Sequence, residues 1–214
     1  MQKEEPGRDR IYDSGRKFKK PPQDYISSRF GSPKMSRINH EEQIIAKEFS
    51  ELLGESSSII DVPCGSGRFL KAFNKQRLVY AIDANPAMLQ EAKLNNPDQN
   101  IQFYVGNINN IPLESKSADG IFCMRLLHHV SNHDEIVMIL SELKRVTKAF
   151  ALISFYRAEG YEYWKKKILR KKISGKPIKI SKMAELLKSS GFSARKIYKL
   201  KRSKQTICIA SVDP

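Results

Sequence analysis

Apolar and polar positions along this chain switch repeatedly between a period near four and a period near two. Residues 1–34 show neither: they are polar and charged, broken by Pro6, Pro21, Pro22 and Pro33, and read as a flexible basic arm with a short ordered stretch at Tyr25–Phe30. From Ser36 to Leu53, the positions of Ile44, Ile45, Phe49, Leu52 and Leu53 predict a helix. Alternating elements follow. Ile59–Val62 reads as a buried strand and Gly67–Lys75 as a helix; Leu78–Ile82 is a second strand, delivering Asp83 at its end. Asn85 and Pro86 open a helix as a capping residue and a proline at its first position, and Asn95-Asn96-Pro97 closes it.

Ile101–Val105 and Gly120–Met124 are predicted as strands three and four. Asn132, with Glu135 three residues on, caps a helix reaching about Val146, whose inner face is Ile136, Ile139, Leu140, Leu143 and Val146. Phe150–Phe155 is a fifth strand. Tyr161–Ile173 and Ser181–Ser189 are helical, with Gly191 ending the second. Arg195–Leu200 and Thr206–Ser211 form two strands around a basic turn. Parallel strands require crossovers, so the β-α alternation implies an α/β fold: a doubly wound, mostly parallel seven-stranded sheet, helices on both faces, closing in an antiparallel hairpin. A single domain over residues 35–214 is expected, with a basic helical insert at about 157–190.

Charge changes this picture in one respect. The 214 residues carry a net charge of +15, and it is unevenly placed. Between Arg157 and Lys204 stand 17 Lys and Arg against Glu159, Glu162 and Glu185, whereas residues 41–156 hold 11 basic and 14 acidic residues. A near-neutral middle flanked by basic material suits a polyanionic partner, or reflects solubility alone. No apolar run approaches the roughly 18 residues of a membrane span. The charged start lacks the apolar stretch of a secretory signal, so a cytoplasmic location is expected. Cys64, Cys123 and Cys208 are far apart with no CxxC pair, which fits reduced thiols and neither a disulfide framework nor a zinc site.

The chemistry concentrates around "IIDVPCGSGRF". Asp61 ends a predicted strand, and Gly65-Ser66-Gly67 follow, where missing Cβ atoms let backbone approach a ligand. In an open parallel sheet, ligands sit outside the carboxyl ends of strands, where the order reverses. Asp61, Asp83 and the turns after Val105 and Met124 all fall at such ends. Strand-end turn chemistry alone is the plainer explanation. A nucleoside-bearing cofactor is the sharper one, with Asp83 placed to accept from ribose hydroxyls. A dinucleotide fingerprint would want glycine where Leu70 stands, and no Gly-Lys-Ser/Thr marks a phosphate loop.

"IIDVPCGSGRF", "AIDANPAML" and "VGNINNIPLESKSADGIFCMRLLHHV" together resemble the class I S-adenosylmethionine-dependent methyltransferases over roughly residues 40–155. The resemblance implies S-adenosyl-L-methionine as cofactor and methyl transfer as activity. Carried over by position, Asp61 and the Gly65-Ser66-Gly67 backbone would face the methionine part, and Asp83 would hold the ribose hydroxyls beside Ala84 and Met88. Asn107 and Ile108 would flank the adenine, and Arg125 and Leu126 would contribute from the turn after strand four. Pro63 stands in place of the family's usual first glycine. Asn107 stands in place of an acid, and its amide oxygen still accepts a hydrogen bond.

His128, His129 and His133 lack the further ligands of a transition-metal site, so no metal is expected. His129 is either a general base for an acceptor hydroxyl or a packed histidine at a helix entry. The segment "YEYWKKKILRKKISGKPIKISK" interleaves aromatic and basic residues. Three readings stand for it: a solvated helix packed on the sheet edge, a surface for RNA bases and phosphates, or one for an anionic membrane. Pro63-Cys64-Gly65, "RLLHHV" and the basic insert together resemble bacterial methyltransferases, some of them linked to surface glycolipid or polysaccharide assembly, and the basic charge points to an anionic acceptor. The first expectation is a sugar hydroxyl of a surface glycolipid precursor at the inner membrane's cytosolic face, and the rival is tRNA or rRNA. A non-catalytic scaffold that binds polyanions is the alternative of another class. By loose analogy with the same family, Tyr12, Tyr25 and Arg29 would close over the pocket as a lid.

Overall fold

The computed structural model describes residues 30–76, 78–130, 132–170, 175–201 and 203–213, the side chains at 162 and 166 excepted. The proposed lid residues Tyr12, Tyr25 and Arg29 lie outside these residues, as do positions 171–174 at the end of the expected helix Tyr161–Ile173.

Seven strands form one sheet: β1 (Ser58–Asp61), β2 (Leu78–Asp83), β3 (Ile101–Val105), β4 (Ala118–Cys123), β5 (Thr147–Tyr156), β6 (Phe192–Lys199) and β7 (Gln205–Val212). Their order is β3-β2-β1-β4-β5-β7-β6. The first five are parallel neighbours and β7 runs antiparallel between β5 and β6. Strand order reverses between β1 and β4, which places the crevice of a doubly wound sheet at the carboxyl end of that pair.

Among the described residues the helices flanking the sheet are α1 (Pro33–Leu53), α2 (Pro86–Asn95), α3 (His133–Val146), α4 (Tyr161–Ile168) and α5 (Ile180–Ser189). The Ser32 hydroxyl accepts from the Met35 N–H and Pro33 occupies the first turn, so α1 starts three residues before the expected Ser36. Asn85 and Asn132 cap α2 and α3 as their sequences predict. Two apolar layers cover the sheet. One joins α1 and α2 to Ile59, Val79, Ala81, Phe122 and Leu152; the other joins α3 and α5 to Ile60, Ile82, Ile121, Ile153 and Cys208. Among the described residues no helix is long and apolar enough to cross a membrane.

One expected element is absent. Instead of a helix over Gly67–Lys75, the chain makes successive turns and a single 3-10 helix at Leu70–Phe73. Gly67 has φ +78°, which a right-handed helix excludes. At the other end buried Gln76 donates to the carbonyls of Ser50 and Gly54 and accepts from the Ser50 hydroxyl, tying the chain to the end of α1 before a second turn can form. Phe69 and Phe73 meet the edge of Phe122 at centroid distances of 4.8 and 5.0 Å, contacts of about 0.5–1.5 kcal/mol each beyond their burial. Packing on β4 therefore holds this loop without a helix. Similarly, α4 ends at Ile168, where Leu169 and Arg170 turn away and Arg170 takes φ +49°.

Candidate active site

Asp61 closes β1, with Ala81 of β2 on one side and Phe122 of β4 on the other. It is 1% exposed, and neither carboxylate oxygen has a hydrogen-bond partner among the described residues. Burial drives its pKa well above the ordinary carboxylate value; the Arg68 charge opposes the shift and the Asp83 charge adds to it. An ionisable group left in this condition is costly unless something pairs with it.

The loop after Asp61 is stitched to both neighbouring strands. Val62 N–H donates to the Phe122 carbonyl at 3.0 Å, and Cys64 N–H to the Ile82 carbonyl at 2.9 Å. Gly65 N–H donates to Asp83 Oδ2 at 2.8 Å, so the second acid anchors the glycine turn directly. Gly65 takes φ +56° and faces open space where a side chain would begin. Gly67 differs: a Cβ there would stand 2.5 Å from Asn96 Nδ2 and 3.1 Å from Ala92 Cα. Asn96 Nδ2 donates to the Gly67 carbonyl, locking the loop onto α2. Ser66 is buried between these glycines.

Asp83 ends β2, where Oδ1 accepts from Asn85 N–H at 2.9 Å and Oδ2 from Gly65 N–H. Burial raises its pKa and these two donors hold the rise in check. Each oxygen keeps a further acceptor position. Ala84 is exposed next to it, and Met88 is buried on α2. In the turn after β3, Asn107 Oδ1 accepts from Asn109 N–H at 3.1 Å, and Ile108 is buried in the core. The Asn109 carboxamide, which sequence reasoning missed, is buried, and among the described residues neither its oxygen nor its nitrogen is partnered.

After β4 the backbone reverses through Arg125 at φ +59°, whose N–H donates to Ser154 Oγ at 2.7 Å. The Arg125 guanidinium turns toward α1, where Glu42 receives it; Leu126 packs into the core. A 3-10 turn at Leu127–His129 follows. His128 is buried and stacks on Tyr156 at 4.1 Å, whereas His129 is exposed, its ring 4.0 Å from that of His128. No group of three His, Cys, Asp or Glu able to hold a metal occurs among the described residues. The structure thus brings Asp61, Gly65, Ser66, Gly67, Asp83 and Arg125 to the switch-point edge, with Asn107 in the turn after β3 and His129 after β4.

A family model of a methyltransferase domain matches residues 60–155. A methyltransferase of Schizosaccharomyces pombe is 30% identical over 186 residues, 85% of this chain and 70% of that protein. A tRNA (carboxymethyluridine(34)-5-O)-methyltransferase of Arabidopsis thaliana is 27% identical over 113 residues, 52% of this chain but 27% of the plant protein. Among solved structures, magnesium protoporphyrin IX methyltransferase of Synechocystis PCC 6803, with S-adenosylhomocysteine bound, superposes with a TM-score of 0.72. Its identity is 17%, over 85% of this chain and 88% of that one, a likeness of fold.

Proposed function

The chain belongs to the class I S-adenosylmethionine-dependent methyltransferases, and from that premise we propose which residues hold the cofactor and what accepts the methyl group. The observation that carries the site is Asp61: a buried carboxylate with two unpartnered oxygens at the switch point is matched by an incoming ammonium, such as the cofactor's α-amino group. In this reading the open Gly65 turn and Gly67 line the methionine part. Asp83 uses its remaining acceptor positions for the ribose hydroxyls, with Ala84 and Met88 beside it. Asn107 and Ile108 border the adenine, and Arg125 and Leu126 shape the wall through their backbone. Bound there, S-adenosylmethionine supplies a methyl group on an electron-poor sulfonium, for which in-line positioning carries much of the rate.

For the acceptor we propose a sugar hydroxyl of a glycolipid in an anionic membrane surface. The supporting observation is α4, which follows β5 from the carboxyl edge of the sheet. Tyr161, Trp164, Ile168 and Leu169 are 73, 51, 76 and 52% exposed, an unusual display of large apolar groups in a strongly basic segment. Lys165 and Lys167 place their ammonium groups over the Tyr161 and Trp164 rings. Apolar side chains entering the acyl boundary, with lysines at headgroup level, fit this combination better than stacking on bases would, because Ile168 and Leu169 have no ring to stack. His129 serves in this proposal as the base that takes the hydroxyl proton.

RNA is the second reading, favoured by the Arabidopsis relative whose name gives tRNA as its substrate. Co-sedimentation separates the two. Binding to phosphatidylglycerol vesicles, weakened by Trp164→Ala with Ile168→Ala and by salt, supports the membrane. Retention on RNA with no vesicle binding would transfer the acceptor assignment to nucleic acid.

A further inference from the structure

Among the described residues the Asp61 carboxylate has no hydrogen-bond partner, although a guanidinium stands close enough to favour its ionised form. That guanidinium, Arg68, is engaged elsewhere. Its Nη2 donates to Glu42 Oε2 at 2.9 Å and its Nη1 to Asn39 Oδ1. Its planar face lies 3.8 Å from the Phe69 ring centre and 4.5 Å from that of Phe30. Gln43 Nε2 donates to the Arg68 carbonyl at 3.0 Å, fixing the backbone as well. Asn39, Glu42 and Gln43 all come from one stretch of α1. Glu42 is fully buried and also takes Arg125, at 2.7 and 3.2 Å, so one carboxylate joins the loop after β1 to the turn after β4.

We propose that Glu42 is a positioning residue that holds Arg68 away from Asp61 and so keeps the Asp61 carboxylate for the cofactor's ammonium. The proposal rests on the reading of Asp61 given above. An arginine near a buried carboxylate pairs with it readily, because the attraction is strong where water is excluded and the planar fork matches the two oxygens. A direct Asp61–Arg68 pair would satisfy Asp61 internally and remove the negative charge an ammonium needs. By supplying a competing carboxylate, with Asn39 as a second tether, α1 prevents that collapse.

The test compares two ligands by calorimetry: S-adenosylhomocysteine, which carries the ammonium, and 5′-methylthioadenosine, which lacks the amino-acid part. Glu42→Gln should weaken S-adenosylhomocysteine by about thirtyfold, the low end for loss of one partner in a buried charge pair, and leave methylthioadenosine unchanged. Asn39→Ala, which leaves the ion pairs intact, should act in the same direction more weakly. The double variant Glu42→Gln with Arg68→Met should recover S-adenosylhomocysteine binding, because the competing guanidinium is gone. A merely structural Glu42 would weaken both ligands alike and show no recovery, and either result overturns the proposal. Asp61→Asn serves as the separate check. If it leaves S-adenosylhomocysteine affinity unchanged, the underlying reading of Asp61 has failed; if it discriminates between the ligands and Glu42→Gln does not, only the role of Glu42 has.

Discussion

Asp61 is poorly accommodated in the protein alone. Its folded pKa lies above its unfolded value because burial disfavours the charge. As pH climbs past the ordinary carboxylate value, the unfolded chain ionises first, so stability falls with rising pH up to the folded pKa, opposite to a salt-bridged acid. Asp61→Asn removes that loss. The ligand-free variant is therefore expected to melt at or above the parent at pH 7, by about 2–4 °C for each kcal/mol recovered. It should also lose the upward shift that S-adenosylhomocysteine gives the parent. A variant that melts lower yet keeps the ligand shift would show that Asp61 serves packing. Asp61 and Asp83 were legible in the sequence because each ends an apolar run at a fixed distance from Gly65. Glu42 was not, since an acid in a helix reads as surface. Its signal was its register: it lies four residues after Ile38 and three before Ile45, within the stripe that α1 buries.

At the scale of elements, the loop between β1 and β2 shows where periodicity fails. Phe69, Leu70 and Phe73 follow a helical spacing, but five residues cannot distinguish 3.6 residues per turn from three. The decisive contacts, Phe122 on β4 and Ser50 on α1, are distant in sequence. The strands were easier to read, because buried β-branched runs bounded by turn residues suit few other structures. The Gly67 assignment has a direct test. Alanine at Gly65 meets only the strain of a positive φ, about 1 kcal/mol, whereas alanine at Gly67 also collides with Asn96 and the α2 backbone. Gly67→Ala is expected to lower stability by about 1–3 kcal/mol more than Gly65→Ala in urea unfolding. Equal losses would mean that the close approach of loop and helix contributes nothing.

The whole molecule joins a near-neutral stretch, residues 41–156, to a strongly basic one from Arg157 to Lys204. Composition announced that asymmetry. What composition could not show is that large apolar side chains of α4 stand exposed at the start of the basic segment, since exposure depends on what the rest of the fold leaves uncovered. The proposed cofactor site is the crevice at the β1–β4 reversal, where the glycine turn and the two acids meet. Calorimetric titration of S-adenosylmethionine and S-adenosylhomocysteine into the parent protein and into Asp83→Ala tests it most directly. The parent should bind both one-to-one, and the variant, its fold intact by circular dichroism, should weaken each by more than about tenfold, the worth of hydrogen bonds to a charged group. Undiminished affinity in Asp83→Ala, or no binding by the parent, would contradict the placement of the cofactor in this crevice.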